Sequence, residues 1–135
     1  LEHTSIKGVK YGAYIVSEVK TKLDLILISS GEELNLAIKL KDELLKNFIE
    51  ARVVSMPNLD LFTKQENSYK EQVFPRGYKK MFLEFSNDPN HFRFVDSEND
   101  LIDVNKYLKS ASKEELEKEY EYDVASLIIK IKNNL

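Results

Sequence analysis

Hydrophobic and polar positions follow two different periods in the first third of the chain. Residues 11–17 alternate small, aromatic and β-branched side chains, and residues 23–29 are a nearly unbroken apolar run. The two stretches predict strands, the second of them buried on both faces. Residues 32–48 place apolar side chains three and four positions apart, which predicts an amphipathic helix. Its predicted inward positions are Leu34, Ala37, Ile38, Leu44, Leu45 and Phe48.

The segment after this helix predicts how the first elements are arranged. Residues 51–55 are short and β-branched, and Pro57 ends the stretch because its ring fixes the backbone and removes a donor. A strand, a helix of about seventeen residues with its loops and a second strand form a βαβ unit, whose strands are parallel. The sequence therefore predicts an α/β fold.

The remaining chain is less regular. Two short helices are predicted at residues 59–64 and 67–73, a fourth strand at residues 80–85, and a candidate fifth strand at residues 101–104. Residues 92–95 are apolar and fit either a helix or a strand. Ser112 and Glu115 form a capping-box pattern that opens a helix carrying Leu116 and Tyr120, and Asp123 suits the cap of a second helix. The predicted inward positions of that second helix are Val124, Leu127, Ile128 and Ile131, and their periodicity alone also allows one continuous helix.

Composition narrows the classes of protein. A chain of 135 residues is the size of one domain, and 20 Lys and Arg against 23 Asp and Glu give a net charge of -3, which disfavours nucleic-acid binding. No apolar run is long enough to cross a bilayer, and the first residues lack a signal-peptide pattern, so a cytoplasmic location is expected. The chain has no Cys and only two His, His3 and His91, so thiolate chemistry is excluded and a His-based site lacks partners.

The strongest candidate for a ligand site is the turn Ser30-Gly31-Glu32. It follows a buried strand and opens the predicted helix, so its backbone N–H groups suit a phosphate or another anion. A single glycine is far from a dinucleotide or phosphate-loop signature, and Ser30 or Glu32 can instead cap the helix. Both interpretations remain open from the residues alone.

Other polar groups predict no catalytic site. The acidic stretch at residues 96–103 lacks the Gly and Glu of a calcium loop and is predicted to be solvated, and His91 lies in a turn-rich loop without a partner at fixed spacing. Arg52 and Arg76 suit a bidentate grip on phosphate or carboxylate, and equally a surface or interface ion pair. Four aromatic side chains are predicted to fill the core or an interface: Tyr69, Tyr78, Phe82 and Phe85.

One long segment carries a resemblance to a known family. Residues 55–65 read S-M-P-N-L-D-L-F-T-K-Q and residues 69–75 read Y-K-E-Q-V-F-P. They resemble the S-M-P-x-x-x-x-F-x-x-Q-x-x-x-Y-x-x-x-V-L-P signature of transketolases. Residues 12–17 resemble the start of that family's third domain, and residues 27–33 are similar to its I-A-T-G-S-E-V turn. The similarity continues more weakly towards the C-terminus, with family glycines replaced at Ser86, Asn90, Asp96, Asp103 and Leu108.

The resemblance implies both a fold and a function. It implies a three-layer α/β/α domain with a five-stranded, mostly parallel sheet and one antiparallel strand, formed by residues 1–135, of which 1–10 enter from a preceding domain. The implied parent is a homodimer that transfers a two-carbon ketol unit between sugar phosphates, with thiamine diphosphate and Mg or Ca bound in its preceding domains.

The resemblance implies that none of the family's catalytic, cofactor-binding or metal-binding residues falls on this chain. The domain itself is therefore expected to be inactive and to have a structural role, with regulation as a further candidate role. Two rivals remain. One is the equivalent domain of another thiamine-dependent enzyme, such as a 2-oxoacid dehydrogenase β-subunit or deoxyxylulose-phosphate synthase. The other is a free-standing module that binds an anionic metabolite at Ser30-Gly31-Glu32.

Overall fold

A computed structural model describes residues 10–29, 34–84, 101–103 and 124–135. Along the first part of the chain, its strands and helices follow the order that the sequence predicts. The strands are β1 (Tyr14–Ser17), β2 (Leu25–Ser29), β3 (Ala51–Ser55), β4 (Lys79–Glu84) and β5 (Leu101–Asp103). The helices are α1 (Leu34–Lys46), α2 (Leu59–Thr63), α3 (Asn67–Val73) and α4 (Val124–Asn133).

The described strands form one five-stranded sheet in the order β1-β3-β2-β4-β5. β2 pairs in parallel with β3 and with β4, and β5 pairs in parallel with β4. Among the described strands, only β1 is antiparallel, and its partner is β3. The register sets Leu25 opposite Ala51 and Ser29 opposite Ser55, so β2 and β3 end together. The predicted βαβ unit and the mixed sheet with a single antiparallel strand are therefore confirmed.

Alternate side chains of β2 lie in two separate cores, one on each face of the sheet. Leu25 and Leu27 pack with the inward faces of α1 and α4, whereas Ile26 and Ile28 pack with side chains of α2 and α3. All of β2 is buried because helices cover both of its faces. Since successive strand residues point to opposite faces, a continuous apolar run is the pattern this three-layer arrangement requires.

The C-terminal end of α1 differs from the prediction. Leu45 and Phe48 were expected to face the core, but 52% of Leu45 and 86% of Phe48 is exposed, and the helix ends at Lys46. The buried stripe instead contains Leu36, Leu40 and Leu44, four residues apart. Leu45 follows Leu44 by about 100° around the helix axis and so leaves this stripe, and Phe48 lies beyond the last turn.

The first strand is also shorter than predicted, for a local reason. The backbone of Gly12 has a φ of 86°, which turns the chain so that β1 begins at Tyr14 and not at Tyr11. At the other end of the chain, Leu127 and Ile131 of α4 are buried as predicted, with Val124 and Ile128 packed at the edge of the same core.

Several sequence predictions concern residues outside the described ranges. These are the apolar segment at 92–95, the acidic loop at 96–100, His91, Phe85 and the helix expected after Ser112. Asp123 also lies outside them, so one continuous C-terminal helix and two separate helices both remain predictions.

Candidate functional site

The segment that resembles the transketolase signature folds as the connection from β3 through α2 and α3. Its first residues are fixed to the end of the sheet. Ser55 ends β3 and is buried, and the N–H of the buried Met56 donates to the carbonyl of Ser29 at 2.7 Å. The backbone after β3 therefore stays attached to the carboxyl end of β2.

A close backbone contact holds the start of α2 against the turn before β1. Asn58 caps α2, its Oδ1 accepting the N–H of Leu61 at 3.0 Å, while its own N–H donates to the carbonyl of Gly12 at 3.1 Å. A Cβ on Gly12 would lie 2.3 Å from the carbonyl oxygen of Asn58 and 2.4 Å from the nitrogen of Phe62. The contact therefore requires glycine, both for its positive φ and for its lack of a side chain.

Aromatic side chains of the signature fill the layer below this contact. Phe62 is buried, with ring centroids 5.4 Å from Phe74 and 6.1 Å from Tyr69, both in edge-to-face contacts. The Tyr69 hydroxyl donates to the carbonyl of Ala13 at 2.6 Å. Burial, with a smaller contribution from Tyr11, raises the pKa of Tyr69. Tyr69 therefore remains a neutral donor that ties α3 to the chain just before β1.

Arg52 connects the far end of the signature to the sheet. Its Nη1 donates to the carbonyls of Gln72 and Val73, both at 3.1 Å, and its Nε donates to Glu18 Oε1 at 2.9 Å. Only 12% of the Arg52 side chain is exposed. A cation at the last carbonyls of α3 satisfies acceptors that the helix leaves unpaired and complements the helix dipole.

The two arginines considered for anion binding thus have different environments. Arg52 forms an ion pair with Glu18, as one of its two predicted roles required, but its side chain is mostly buried and does not lie at the surface. Arg76 is 92% exposed on the side chain and lies 3.8 Å from Glu71, a contact of little energetic consequence at the surface. Arg76, Glu71 and Pro75 line a shallow cleft of about 350 Å³.

Glu18 is the acidic partner of this network. Burial raises the pKa of Glu18, but hydrogen bonds from Arg52 and the Val19 N–H, with the charges of Arg52 and Lys41, outweigh it. The pKa of the carboxyl therefore lies below its usual value of 4.5. Lys41 belongs to the same network, because its Nζ donates to Ser17 Oγ at 2.5 Å and to the Glu18 carbonyl at 2.6 Å.

We expect Glu18→Gln to reduce the dependence of stability on acid pH. A carboxyl with a depressed folded-state pKa contributes stability that is complete above its unfolded value and is lost as pH falls through the folded value. The wild-type chain should therefore lose this contribution only below about pH 4.5, and the variant should lack it. Urea unfolding between pH 7 and pH 3 measures both curves.

Glu71→Gln is the matched control for this pH experiment. Glu71 also faces an arginine, but at 3.8 Å and with both side chains mostly exposed, so this substitution should leave the curve unchanged. Equal changes for the two variants would contradict the role of Glu18. Some acid dependence must survive in Glu18→Gln, because the hydrogen bond from Thr21, with further N–H donors of that loop, also lowers the pKa of Glu50.

The turn Ser30-Gly31-Glu32 lies outside the described residues, but its two flanks are described. β2 ends at Ser29 in the centre of the sheet, with β3 on one side and β4 on the other. The chain leaves β2 for α1 on one face of the sheet and leaves β3 for α2 on the other face. In α/β sheets, ligand crevices form at the carboxyl ends of neighbouring parallel strands whose following helices lie on opposite faces.

The described residues contain no group of three or more His, Cys, Asp or Glu that could hold a metal ion. Within the same ranges, no helix is long and apolar enough to cross a membrane. The sequence predicted that Tyr69 fills the core or an interface, and Tyr69 packs against the core that contains Phe62. It missed the structural roles of Gly12, Glu18 and Glu50. A glycine just before a strand is a signal for a turn, whereas neither acidic residue has a sequence signal because its partners are distant in the chain.

The mixed sheet has helices on both faces, and its β3–α2–α3 connection is bonded to Gly12 and Ala13 just before β1, which defines a three-layer α/β domain. A family model described as "Transketolase-like TK C-terminal domain" matches residues 12–123. The chain belongs to this family of transketolase C-terminal domains, as its signature predicted.

Individual relatives agree with the family match. The transketolase of Bacillus subtilis is 35% identical over 130 residues, which cover 95% of this chain and 20% of the relative. A probable transketolase of Streptococcus pneumoniae is 32% identical over 131 residues, covering 96% and 20%. This chain therefore spans about one fifth of the length of these relatives.

Solved structures show the same fold. A transketolase variant from Pichia stipitis superimposes with a TM-score of 0.78 at 26% identity, covering 98% of this chain and 19% of that one. The Campylobacter jejuni transketolase gives a TM-score of 0.72 at 25% identity, covering 93% and 19%. The relatives and structures named here are transketolases, which favours that family over other thiamine-dependent enzymes.

Proposed function

We propose that this chain acts as the C-terminal domain of a transketolase. The parent enzyme would bind thiamine diphosphate and Mg or Ca in domains preceding this one and transfer a two-carbon ketol unit between sugar phosphates. Residues 1–135 would form one domain, with residues 1–10 entering from the preceding domain. The match to one fifth of the relatives' length supports a role as part of such an enzyme.

The role of the domain within that enzyme is structural. The observation that carries this proposal is the internal use of the signature residues: Met56, Phe62 and Val73 are buried, Asn58 caps a helix, and Tyr69 bonds to Ala13. Gln65 likewise donates from Nε2 to the carbonyl of Leu61 at 2.9 Å. Groups engaged in this way fix the shape of the domain, so that its outer surface can pack against other domains in a homodimeric, cytoplasmic parent.

The isolated chain is expected to show no ketol transfer. Purified chain, supplied with thiamine diphosphate, Mg²⁺ and a ketose and aldose phosphate pair, should give no turnover above a protein-free blank. Intact Bacillus subtilis transketolase under the same conditions is the positive control. Measurable turnover by the chain would contradict a purely structural role.

A chimera tests whether this chain can serve as the C-terminal domain of an active transketolase. We expect this chain to replace the matched fifth of the Bacillus subtilis enzyme and to give a folded protein with ketol-transfer activity. The same enzyme without any C-terminal fifth is the comparison. A chimera that folds, as judged by circular dichroism and gel filtration, but has no more activity than the truncated enzyme would contradict the assignment.

A second proposal concerns ligand regulation at Ser30-Gly31-Glu32. It is supported by the helices that follow β2 and β3 lying on opposite faces of the sheet, an arrangement that favours a ligand crevice at the carboxyl ends of such strands. Calorimetry with sugar phosphates and nucleotides tests it on the purified chain. A saturable heat of binding that is abolished by Gly31→Asp or Ser30→Glu would support regulation. If no heat of binding is detected, only the structural role remains.

A further inference from the structure

Two serines interrupt the apolar face of the sheet that α1 covers. Along this face the side chains of β2 and β3 lie in the core, with Leu27 and Val53 as the last apolar members. Successive strand residues point to opposite faces, so the residues two positions further on, Ser29 and Ser55, lie on the α1 face as well. Both serines are buried at the carboxyl ends of their strands.

Tyr14 extends these two serines to the edge strand. Its neighbour Ile15 packs against the core below α2 and α3, so Tyr14, the first residue of β1, lies on the α1 face. The register sets Tyr14 opposite Ser55, and Ser55 opposite Ser29. Since neighbouring strands are about 4.8 Å apart, the three side chains form a row across β1, β3 and β2. We call Tyr14, Ser55 and Ser29 the hydroxyl row.

Two members of the hydroxyl row are buried without a partner. Tyr14 is 7% exposed and Ser55 is 3% exposed. Among the described residues neither hydroxyl has a hydrogen-bond partner, whereas the less buried Tyr69 donates to the carbonyl of Ala13. A buried hydroxyl that loses water without gaining a partner is costly, and buried polar groups in folded proteins are generally satisfied by protein, water or ligand. The two hydroxyls therefore indicate a bound group that supplies oxygen acceptors.

The first turn of α1 lies at the same end of the sheet. β2 ends at Ser29 and α1 begins at Leu34, which packs against the core on the face of the hydroxyl row. Because α1 has 13 residues, the positive end of a substantial helix dipole lies at the carboxyl end of β2. Hydroxyl donors beside the start of a helix favour an oxyanion, and phosphate is the oxyanion that such helix ends commonly bind.

We propose that the hydroxyl row is a subsite for a phosphate group, whose oxygens accept hydrogen bonds from the Tyr14 and Ser55 hydroxyls beside the start of α1. The proposal rests on the ligand regulation proposed above, for which it names the class of ligand and two of the groups that bind it. Phosphate oxygens replace the water that the two hydroxyls lose on burial.

Thermal unfolding of the full 135-residue chain in the presence of phosphate tests the proposal. With a dissociation constant on the order of 1 mM, about 20 mM inorganic phosphate should raise Tm by about 5 °C over sodium chloride of the same ionic strength. Glycerol 3-phosphate, a phosphate monoester, is the second probe. Stabilisation by both supports a phosphate site, and the tighter of the two shows whether free phosphate or a phosphorylated metabolite is its ligand.

Tyr14→Phe and Ser55→Ala separate ligand binding from folding. Without phosphate each variant should melt at or above the Tm of the wild-type chain, because it removes a buried hydroxyl that has no partner. Each should also raise the dissociation constant for phosphate at least about fivefold. A hydroxyl that instead bonds another part of the chain would give a lower Tm without phosphate, and that result would overturn the proposal.

Tyr69→Phe is the matched control. It removes the bond to Ala13, so it should melt below the wild-type chain and keep its stabilisation by phosphate. A wild-type chain that neither probe stabilises would overturn the proposal, as would undiminished stabilisation of Tyr14→Phe and Ser55→Ala. Loss of binding in Gly31→Asp alone would also overturn it while leaving ligand regulation at the turn intact, whereas loss in the two hydroxyl variants alone would support it and contradict the turn.

Discussion

Replacing Gly12 by alanine is expected to lower the free energy of unfolding by about 3–4 kcal/mol. The added Cβ would lie 2.3 Å from the Asn58 carbonyl oxygen and 2.4 Å from the Phe62 nitrogen, both of them backbone atoms of the same helix start. Relieving these overlaps requires α2 to move away from the turn, which breaks the bond from the Asn58 N–H to the Gly12 carbonyl. Urea unfolding followed by circular dichroism measures the loss.

Gly77→Ala is the matched control for this substitution. Gly77 has a φ of 88° against 86° for Gly12, so both alanines are forced into nearly the same unfavourable backbone conformation. Among the described residues beyond Gly77 and its two chain neighbours, no atom lies within 4 Å of a Cβ at Gly77, so only the conformational cost of about 1 kcal/mol remains there. The difference between the two variants isolates the contact with α2, and equal losses would contradict it.

The sheet and its helices could be predicted from the sequence because burial imposes a period. Residues 25–28 are apolar at every position since cores lie on both faces, and that pattern predicted a strand buried on both sides. Helix α1 was predicted for the same reason. The error at Leu45 and Phe48 shows the limit of the method, because apolar character does not distinguish a core position from an exposed surface.

The contacts around the signature could be predicted much less well. The bond from Tyr69 to Ala13 joins residues 56 positions apart, and that from Arg52 to Glu18 joins residues 34 apart. Such pairs are created by the topology, which puts β1 at the edge next to β3. The resemblance to the signature singled out Asn58, Phe62 and Tyr69 only as part of a family segment. The fold shows that Asn58 caps a helix, that Tyr69 bonds to Ala13 and that Phe62 fills the core.

Phe62→Ala should cost about 3–4 kcal/mol, comparable to the loss expected for Gly12→Ala, because it empties the centre of the core below α2 and α3. Phe62 is buried, and its ring contacts both Phe74 and Tyr69. The Tyr69 hydroxyl donates to the Ala13 carbonyl and the Phe74 N–H donates to the Lys70 carbonyl at 2.8 Å, so neither ring is free to move far enough to fill the cavity. Thermal unfolding and urea unfolding should report the same loss.

Phe48→Ala provides the comparison, since it removes the same side-chain atoms from an exposed position. It should change the free energy of unfolding by less than about 0.5 kcal/mol, because the side chain is 86% exposed. Alanine and phenylalanine share the unfavourable positive φ, so the backbone cost nearly cancels in this comparison. A loss at Phe48 close to that at Phe62 would mean that the end of α1 is packed against other parts of the chain, contrary to the exposure of this side chain.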